Sequence, residues 1–369
     1  MIKTSFYLTV IALVGFLVFK LTDSGNITHK ASLQQWAQDK IKSETAEFQT
    51  KHFTNTDLDQ TYNQLAYLPG NMLIRFQITQ GKISSPQIIS SNPEIAYAYN
   101  AFHKFLEHMI KKRMIEKDVD FIVSISENIT VPDNYVFTAP IIVPSKNTMD
   151  PHAKFYILAP HYKTLSEWSK LYDDILEAKK EYPWIHKTEQ AFWRGSTSTE
   201  VLTRENWQDA PITRLLELSA QNPTLIDAKL NNISQTNAEI QHLLAEKYPL
   251  AVNVAMLENA QYKINIRMDN KASIYPGLLS SFLSGAIVLK RQSTNEQWFY
   301  DILEENKHYI SFANDVSDLL PKIQWIHDHD AEAKVIANAG AALIEKEITP
   351  NHVNLYWVKL LEEHAAMKR

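Results

Sequence analysis

Cysteine is absent from the 369 residues. That removes disulfides and thiolate metal sites, and it fits a reducing compartment or a bacterial source. Glycine is scarce, at 8 residues, so a glycine set between an arginine and a serine carries weight. A basic excess is missing too: 37 Lys and Arg against 42 Asp and Glu leave a net charge of −5, and the cations are dispersed rather than clustered. Nucleic acid is therefore excluded as a partner. Internal repeats and low-complexity tracts are also lacking. An apolar run from Ser5 to Phe19, between Lys3 and Lys20, falls short of the ~20 residues that span a bilayer, although Leu21 and snorkelling of the two lysines extend it. No small-x-small cleavage site follows, so residues 1–22 read as a hydrophobic membrane anchor or uncleaved signal, in preference to the alternative of a removed signal peptide.

What is present is a chain 45% hydrophobic, enough for a large core. At roughly 100–200 residues per domain its length implies two domains. Apolar spacing predicts a helix over residues 31–48. Residues 72–79 alternate and turn at Gln80-Gly81, so residues 83–89 pair back; a helix starts at Pro93, and a β-branched strand follows at 119–125. Another helix is expected over 165–180. The second half is more regular. Strands at 191–194, 225–227, 262–266, 286–289 and 309–312 alternate with helices at 212–220, 238–247, 276–283 and 296–303, and helices at 316–346 and 353–364 close the chain. Such alternation predicts an α/β protein with a parallel, doubly wound sheet. Trp193, Trp298, Trp325 and Trp357 fall at apolar-periodic positions and read as core, and His308 reads as structural.

The stretch Ala191-Phe192-Trp193-Arg194-Gly195-Ser196-Thr197 is an apolar strand that runs into an arginine and a glycine-serine corner. A turn there directs backbone N–H groups and a guanidinium at one point, an arrangement suited to a phosphate. Arg214 falls in the first turn of the next helix, close enough in sequence to join, with Arg204 as a looser companion. Pro276 marks a helix start after Ser273-Ile274-Tyr275, a second place where free N–H groups can meet an anion. Metal binding is not expected. Asp118-Val119-Asp120 precedes its strand rather than leaving it, and on a helix the consecutive residues His327-Asp328-His329-Asp330 cannot converge on one ion.

Taken together, Phe192 to Thr197, Arg214 to Ser219, Asn222 to Ala228, Tyr262 to Ile266, Ser273 to Leu279, Leu283 to Lys290, Gln297 to Tyr300, His308-Tyr309 and Asp315 to Asp318 resemble, in order and spacing, glycosyltransferase family 90. That group includes Rumi-type protein O-glucosyltransferases, fungal capsule-associated proteins and bacterial lipopolysaccharide-modifying transferases. The resemblance is strong over 185–360, fainter over 115–185, and not seen before that. It implies a GT-B-like α/β fold with two Rossmann-like domains facing a cleft: an acceptor-side domain at 31–185, a nucleotide-sugar domain at 186–345, and a C-terminal helix at 346–369 packing back.

By the same resemblance, Arg194, Gly195, Ser196, Thr197, Arg214, Ser273 and Tyr275 surround the donor's diphosphate and sugar. Glu127, at the carboxyl end of the 121–125 strand, is the expected base, with Asp120 and Asp133 as alternatives. The sequence departs from the Rumi-type pattern at two places: Tyr275-Pro276-Gly277 lacks that group's arginine, and Ser124-Ile125-Ser126-Glu127 replaces its Asn-x-Arg-Asp. The implied activity is inverting, metal-independent transfer of glucose or galactose from a UDP-sugar, without a cofactor, to a glycan or glycolipid acceptor such as lipopolysaccharide or capsule. The alternatives are a protein O-glycosyltransferase of a secretory lumen and an inactive glycan- or nucleotide-binding scaffold. With the anchor, the reading places the body on the cytoplasmic face of a bacterial inner membrane.

Overall fold

A computed structural model describes residues 33–89, 92–126, 128–197, 201–234, 236–252, 256–268 and 276–369. The first half opens with α1 (Gln35–Lys51), whose Ala37, Ile41 and Phe48 are buried on one face, one and then two turns apart, and α2 (Asn55–Leu65). Thr54 and Asp57 close a capping box at the start of α2, satisfying N–H groups that the first turn leaves open. Strand β1 (Leu73–Thr79) then turns at Gln80 and Gly81, both with positive φ (51° and 69°), into β2 (Lys82–Ile83). Two such residues between antiparallel strands make the tight turn whose twist matches a hairpin. Next come β3 (Gln87–Ile88), α3 (Pro93–Lys111, with Pro93 in its first turn), β4 (Val119–Ser124), β5 (Ile141–Val143), β6 (Lys146–Asn147), β7 (Tyr156–Leu158), α4 (Tyr162–Ser166) and α5 (Trp168–Glu181). The sheet order is β2-β1-β4-β5-β7, with β3 also on β1. Only β4, β5 and β7 run parallel; β1 is antiparallel to β4 over six pairs. The expected pairing back after Gln80-Gly81 and the antiparallel β1–β4 pair make the sheet of this half mixed.

The second half contains β8 (Thr188–Ser196), α6 (Pro211–Gln221), β9 (Ile226–Asn232), α7 (Ala238–Lys247), β10 (Tyr262–Arg267), α8 (Gly277–Leu283), β11 (Ile287–Arg291), β12 (Asn295–Glu296), β13 (Ile310–Phe312), α9 (Leu319–Asp328), α10 (Asp330–Glu347) and α11 (Pro350–Met367). Strands β13-β11-β10-β8-β9 form a parallel sheet. Along each strand alternate residues face one side: Ala191, Trp193, Ile226, Ala228, Ile264, Ile266, Ile287 and Leu289 pack with Ile212, Leu215 and Leu216 of α6 and Ile323 of α9 in one apolar core. The chain winds outward from β8 to β9, then reverses through β10, β11 and β13. The order therefore switches between β8 and β10, the place where open α/β sheets form a ligand crevice at their carboxyl ends.

One expected helix is not formed. Residues 296–303 make β12 and a short 3-10 turn, because Trp298 is drawn into an aromatic cluster with Trp36 (5.7 Å) and Tyr356 (4.7 Å) and Glu296 binds buried Lys40. Strand β12 pairs with β6, joining the two halves. The long helix expected over 316–346 is two, broken at His329. Helix α11 lies against the first half, its Tyr356 hydroxyl donating to the Leu158 carbonyl (3.1 Å) and its Trp357 set edge-on to Phe102 (5.0 Å). No helix among the described residues is long and apolar enough to cross a membrane. That overturns the expected localisation, a body held at the cytoplasmic face of a bacterial inner membrane by a single N-terminal helix; residues 1–22, the expected anchor, lie outside the described residues.

Candidate functional site

Gly195 does not make a turn. Strand β8 runs through it, Gly195 pairing with Leu230 before a register shift at Ser196. Its lack of a side chain serves packing instead: a Cβ there would lie 2.4 Å from Cζ2 of Trp193, whose indole folds over the same face of the strand. Thr197 is fully buried, its hydroxyl donating to the Ser234 carbonyl (2.7 Å) and accepting from the Ser234 N–H (2.8 Å), which fixes the chain leaving β8. Ser196 is partly exposed beside Asn232.

Arg194 points from the opposite face to Trp193. Its Nη2 donates to the Asp227 carboxylate (2.6 Å) and its Nη1 to the carbonyls of Asp227 (2.7 Å) and Trp193 (2.9 Å). The guanidinium lies 4.5 Å above the Phe192 ring, which stacks on Tyr262 at 4.1 Å. Burial alone would raise the Asp227 carboxyl, but hydrogen bonds from Arg194 and Lys229 outweigh it and hold the group below its ordinary range. The Nε of Arg194 is buried without a partner. A groove of about 810 Å³ runs beside β9, lined by Arg194, Asp227, Lys229, Tyr248 and Leu250 among others.

The next cation at the switch was not singled out from the sequence. Arg267 ends β10, two residues beyond the Asn265–Phe192 pair, on the row that also carries Arg194; Lys229 pairs with Arg194 on one side and Lys290 with Arg267 on the other. In-register parallel strands place paired side chains on one face. Four cations thus line the carboxyl edge of the sheet across the point where its order reverses. The signal lay in the alternation: Ile264 and Ile266 face the core, so Asn265 and Arg267 face away from it. Lys290 sits 4.8 Å from the Tyr300 ring.

Arg214 stands apart from this row. Helix α6 packs on the Trp193 face, and Arg214, 42% exposed, pairs with Asp209 (3.3 Å) and Asp315 (3.8 Å). Arg204 is a surface residue facing Glu239 at 3.6 Å. Ser273 and Tyr275 lie outside the described residues, as does Glu127. The residues beside Glu127 are placed: Ser126 accepts from the Met72 N–H (2.6 Å) and donates to the Gly70 carbonyl (3.0 Å). Ser126 and Asn128 line a polar cavity of about 330 Å³ with Ser145, Asn147, Asp150 and Tyr156. Tyr156 also has a buried hydroxyl without a partner. Asp120 is no base: Arg75 grips both its oxygens at 2.8 Å inside the sheet. Asp133 sits exposed in a turn.

Among the described residues no group of three or more His, Asp or Glu side chains could hold a metal ion. The His327–Asp330 run disperses, His327 facing Glu189, His329 stacking on Trp325 and Asp330 holding Lys263 and Trp184.

The sequence profile described as glycosyl transferase family 90 matches residues 128–369, well over half of the chain. The chain belongs to that family. Both arginines at the switch and the polar cavity's Asn128 to Tyr156 wall fall inside the family 90 match, whereas β1 to β4 precede it. Among curated family relatives, protein O-glucosyltransferase 2 of Danio rerio is 33% identical over 186 residues, covering 50% of this chain and 34% of that protein. Protein O-glucosyltransferase 1 of Rattus norvegicus is 26% identical over 258 residues, 67% of this chain and 62% of that protein. The matched segment therefore spans about a third to three-fifths of those proteins. A solved Anabaena protein, HepE, in complex with UDP and glucose aligns at 13% identity and a TM-score of 0.41 over 62% of this chain and 64% of that one. The family 90 architecture here, two helix-flanked sheets, is GT-B-like.

Proposed function

We propose that this protein transfers a hexose from a UDP-sugar to a hydroxyl of a protein acceptor, with inversion and without a metal. The observation that carries the donor is the pair of guanidiniums, Arg194 and Arg267, at the carboxyl ends of the two strands where the sheet order reverses. The protein acceptor is favoured over lipopolysaccharide or capsule by the relatives, whose names specify protein O-glucosylation. Residues 186–345 hold the donor in this reading, 31–185 the acceptor, and 346–369 pack back. Ser273 and Tyr275 complete the donor site, with Gly195, Ser196 and Thr197 shaping it and Arg214 at its margin.

In the transfer step the acceptor oxygen forms a bond to the anomeric carbon as the bond from that carbon to the β-phosphate oxygen breaks. The electron pair leaves with UDP, and the acceptor proton passes to the Glu127 carboxylate. The cavity lined by Ser126 and Asn128, the chain neighbours of Glu127, offers polar contacts to an acceptor. UDP release from UDP-glucose, measured with EDTA present, tests the activity and the metal independence together. Glu127→Gln is expected to lower transfer 10²–10⁴-fold, the usual worth of a general base, while UDP affinity stays within twofold. Unchanged transfer in that variant removes Glu127 from the mechanism; absence of turnover with every UDP-hexose leaves the binding scaffold.

A further inference from the structure

Arg267 is a charged group that no described residue neutralises. Its Nε donates to the Ser281 hydroxyl of α8 at 2.5 Å, and its Nη1 lies so near Gly277 that a Cβ there would stand 3.1 Å away. Its Nη2 is shut off from solvent and has no hydrogen-bond partner. Among the described residues no carboxylate pairs with it, whereas Arg194 on the neighbouring strand is held by Asp227. Burial draws the guanidinium down to about 10, so it stays protonated at neutral pH. A guanidinium kept charged, partly buried and without a counter-ion costs stability, and replacing such a group by an apolar one of similar volume is commonly neutral or stabilising. Retaining it makes physical sense where an anion arrives to complete it.

We propose that Arg267 binds the diphosphate of the donor, its free Nη2 donating to a phosphate oxygen, so that the nucleotide supplies the anion that the described residues do not. This rests on the UDP-sugar reading and adds the residue on which the leaving group depends. As the anomeric bond breaks and the electron pair settles on the β-phosphate, charge grows beside a donor already in place, which favours the transition state over the ground state. Ser281 positions the guanidinium and Gly277 leaves it room.

The test compares wild type, Arg267→Met and Arg267→Lys by thermal melting and calorimetric titration with UDP, UMP and inorganic pyrophosphate. Without ligand, Arg267→Met is expected to melt at or above the wild-type temperature. Its affinity for UDP should fall 10- to 100-fold while its affinity for UMP changes less than threefold, with Arg267→Lys in between. Wild type that binds pyrophosphate but not UDP, with the binding lost in Arg267→Met, supports the anion site and overturns the nucleotide reading. Equal UDP affinity in wild type and Arg267→Met overturns the inference and leaves that reading standing. If Arg267→Met fails to fold, Arg267→Lys carries the test: a UDP affinity lowered at least threefold with UMP affinity unchanged supports the inference, and unchanged UDP affinity overturns it, as does a lower melting temperature for a folded Arg267→Met.

Discussion

Each sheet carries an arginine on a strand facing away from bulk water, and the two are treated differently. Arg75 on β1 meets Asp120 with two hydrogen bonds of 2.8 Å and also faces Asp59. Among the described residues, Arg267 on β10 has one serine hydroxyl as partner and an Nη2 without one. Arg75 has its donors spoken for and fastens β1 to β4 where they already pair. Arg267 keeps a donor in reserve at the carboxyl end of β10, where the sheet order reverses. Buried cations are thus informative by what they leave unpaired: complete pairing marks a structural joint, and spare donor capacity at a topological switch marks a site.

The largest effect that could break this contrast is expected in the first sheet. Asp120→Ala strands the Arg75 guanidinium beside Asp59 alone and should lower unfolding stability by about 3–5 kcal/mol, read by urea titration. If Asp120→Ala and Arg267→Met shift stability alike, the two arginines are not different in kind. Next in size is Gly195→Ala, which forces the Trp193 indole off its seat; overpacking of that sort costs roughly 1–3 kcal/mol. A loss of UDP affinity with stability unchanged would instead return Gly195 to the role of an anion turn.

A smaller effect sharpens the contrast through pH. His364 on α11 is fully buried against Phe53 (5.0 Å), and neither ring nitrogen has a partner. Burial, then the nearby Lys368 charge, draws it down to about 3. The unfolded chain takes up that proton near pH 6.5, the folded one only near 3, so stability is fully present above about 6.5 and falls as the pH drops through that window. The expected slope is up to tenfold in the folding constant per pH unit for this histidine. His161, also drawn down to about 3 by burial, adds a similar dependence. His364→Leu should flatten the acid limb of a stability-pH profile by one proton without moving UDP affinity, since His364 belongs to the packing of the first half. An unchanged acid limb would mean that His364 is solvated.

The alternation of apolar residues carried most of the second half: strands 191–194, 225–227, 262–266, 286–289 and 309–312 each lie within or beside an observed one. Fold-level periodicity survives because every second strand residue must reach the same core. Residues 296–303 escaped it because their partners, Trp36, Lys40 and Tyr356, come from distant parts of the chain, and long-range packing overrides local helix propensity. Gly195 shows a different limit. Its scarcity signalled a constraint, but the sequence cannot say whether a glycine yields a turn or yields room for a neighbour's indole. Arg267 was legible as a polar strand end, yet its value depends on β10 lying beside β8, and strand order is a property of the whole sheet.

The most direct test is the structure of the protein bound to UDP. The diphosphate is expected at the carboxyl ends of β8 and β10, with a phosphate oxygen within hydrogen-bond distance of the Arg267 Nη2. A nucleotide seated in the groove beside β9, with the Arg267 Nη2 still unpartnered, would contradict the account.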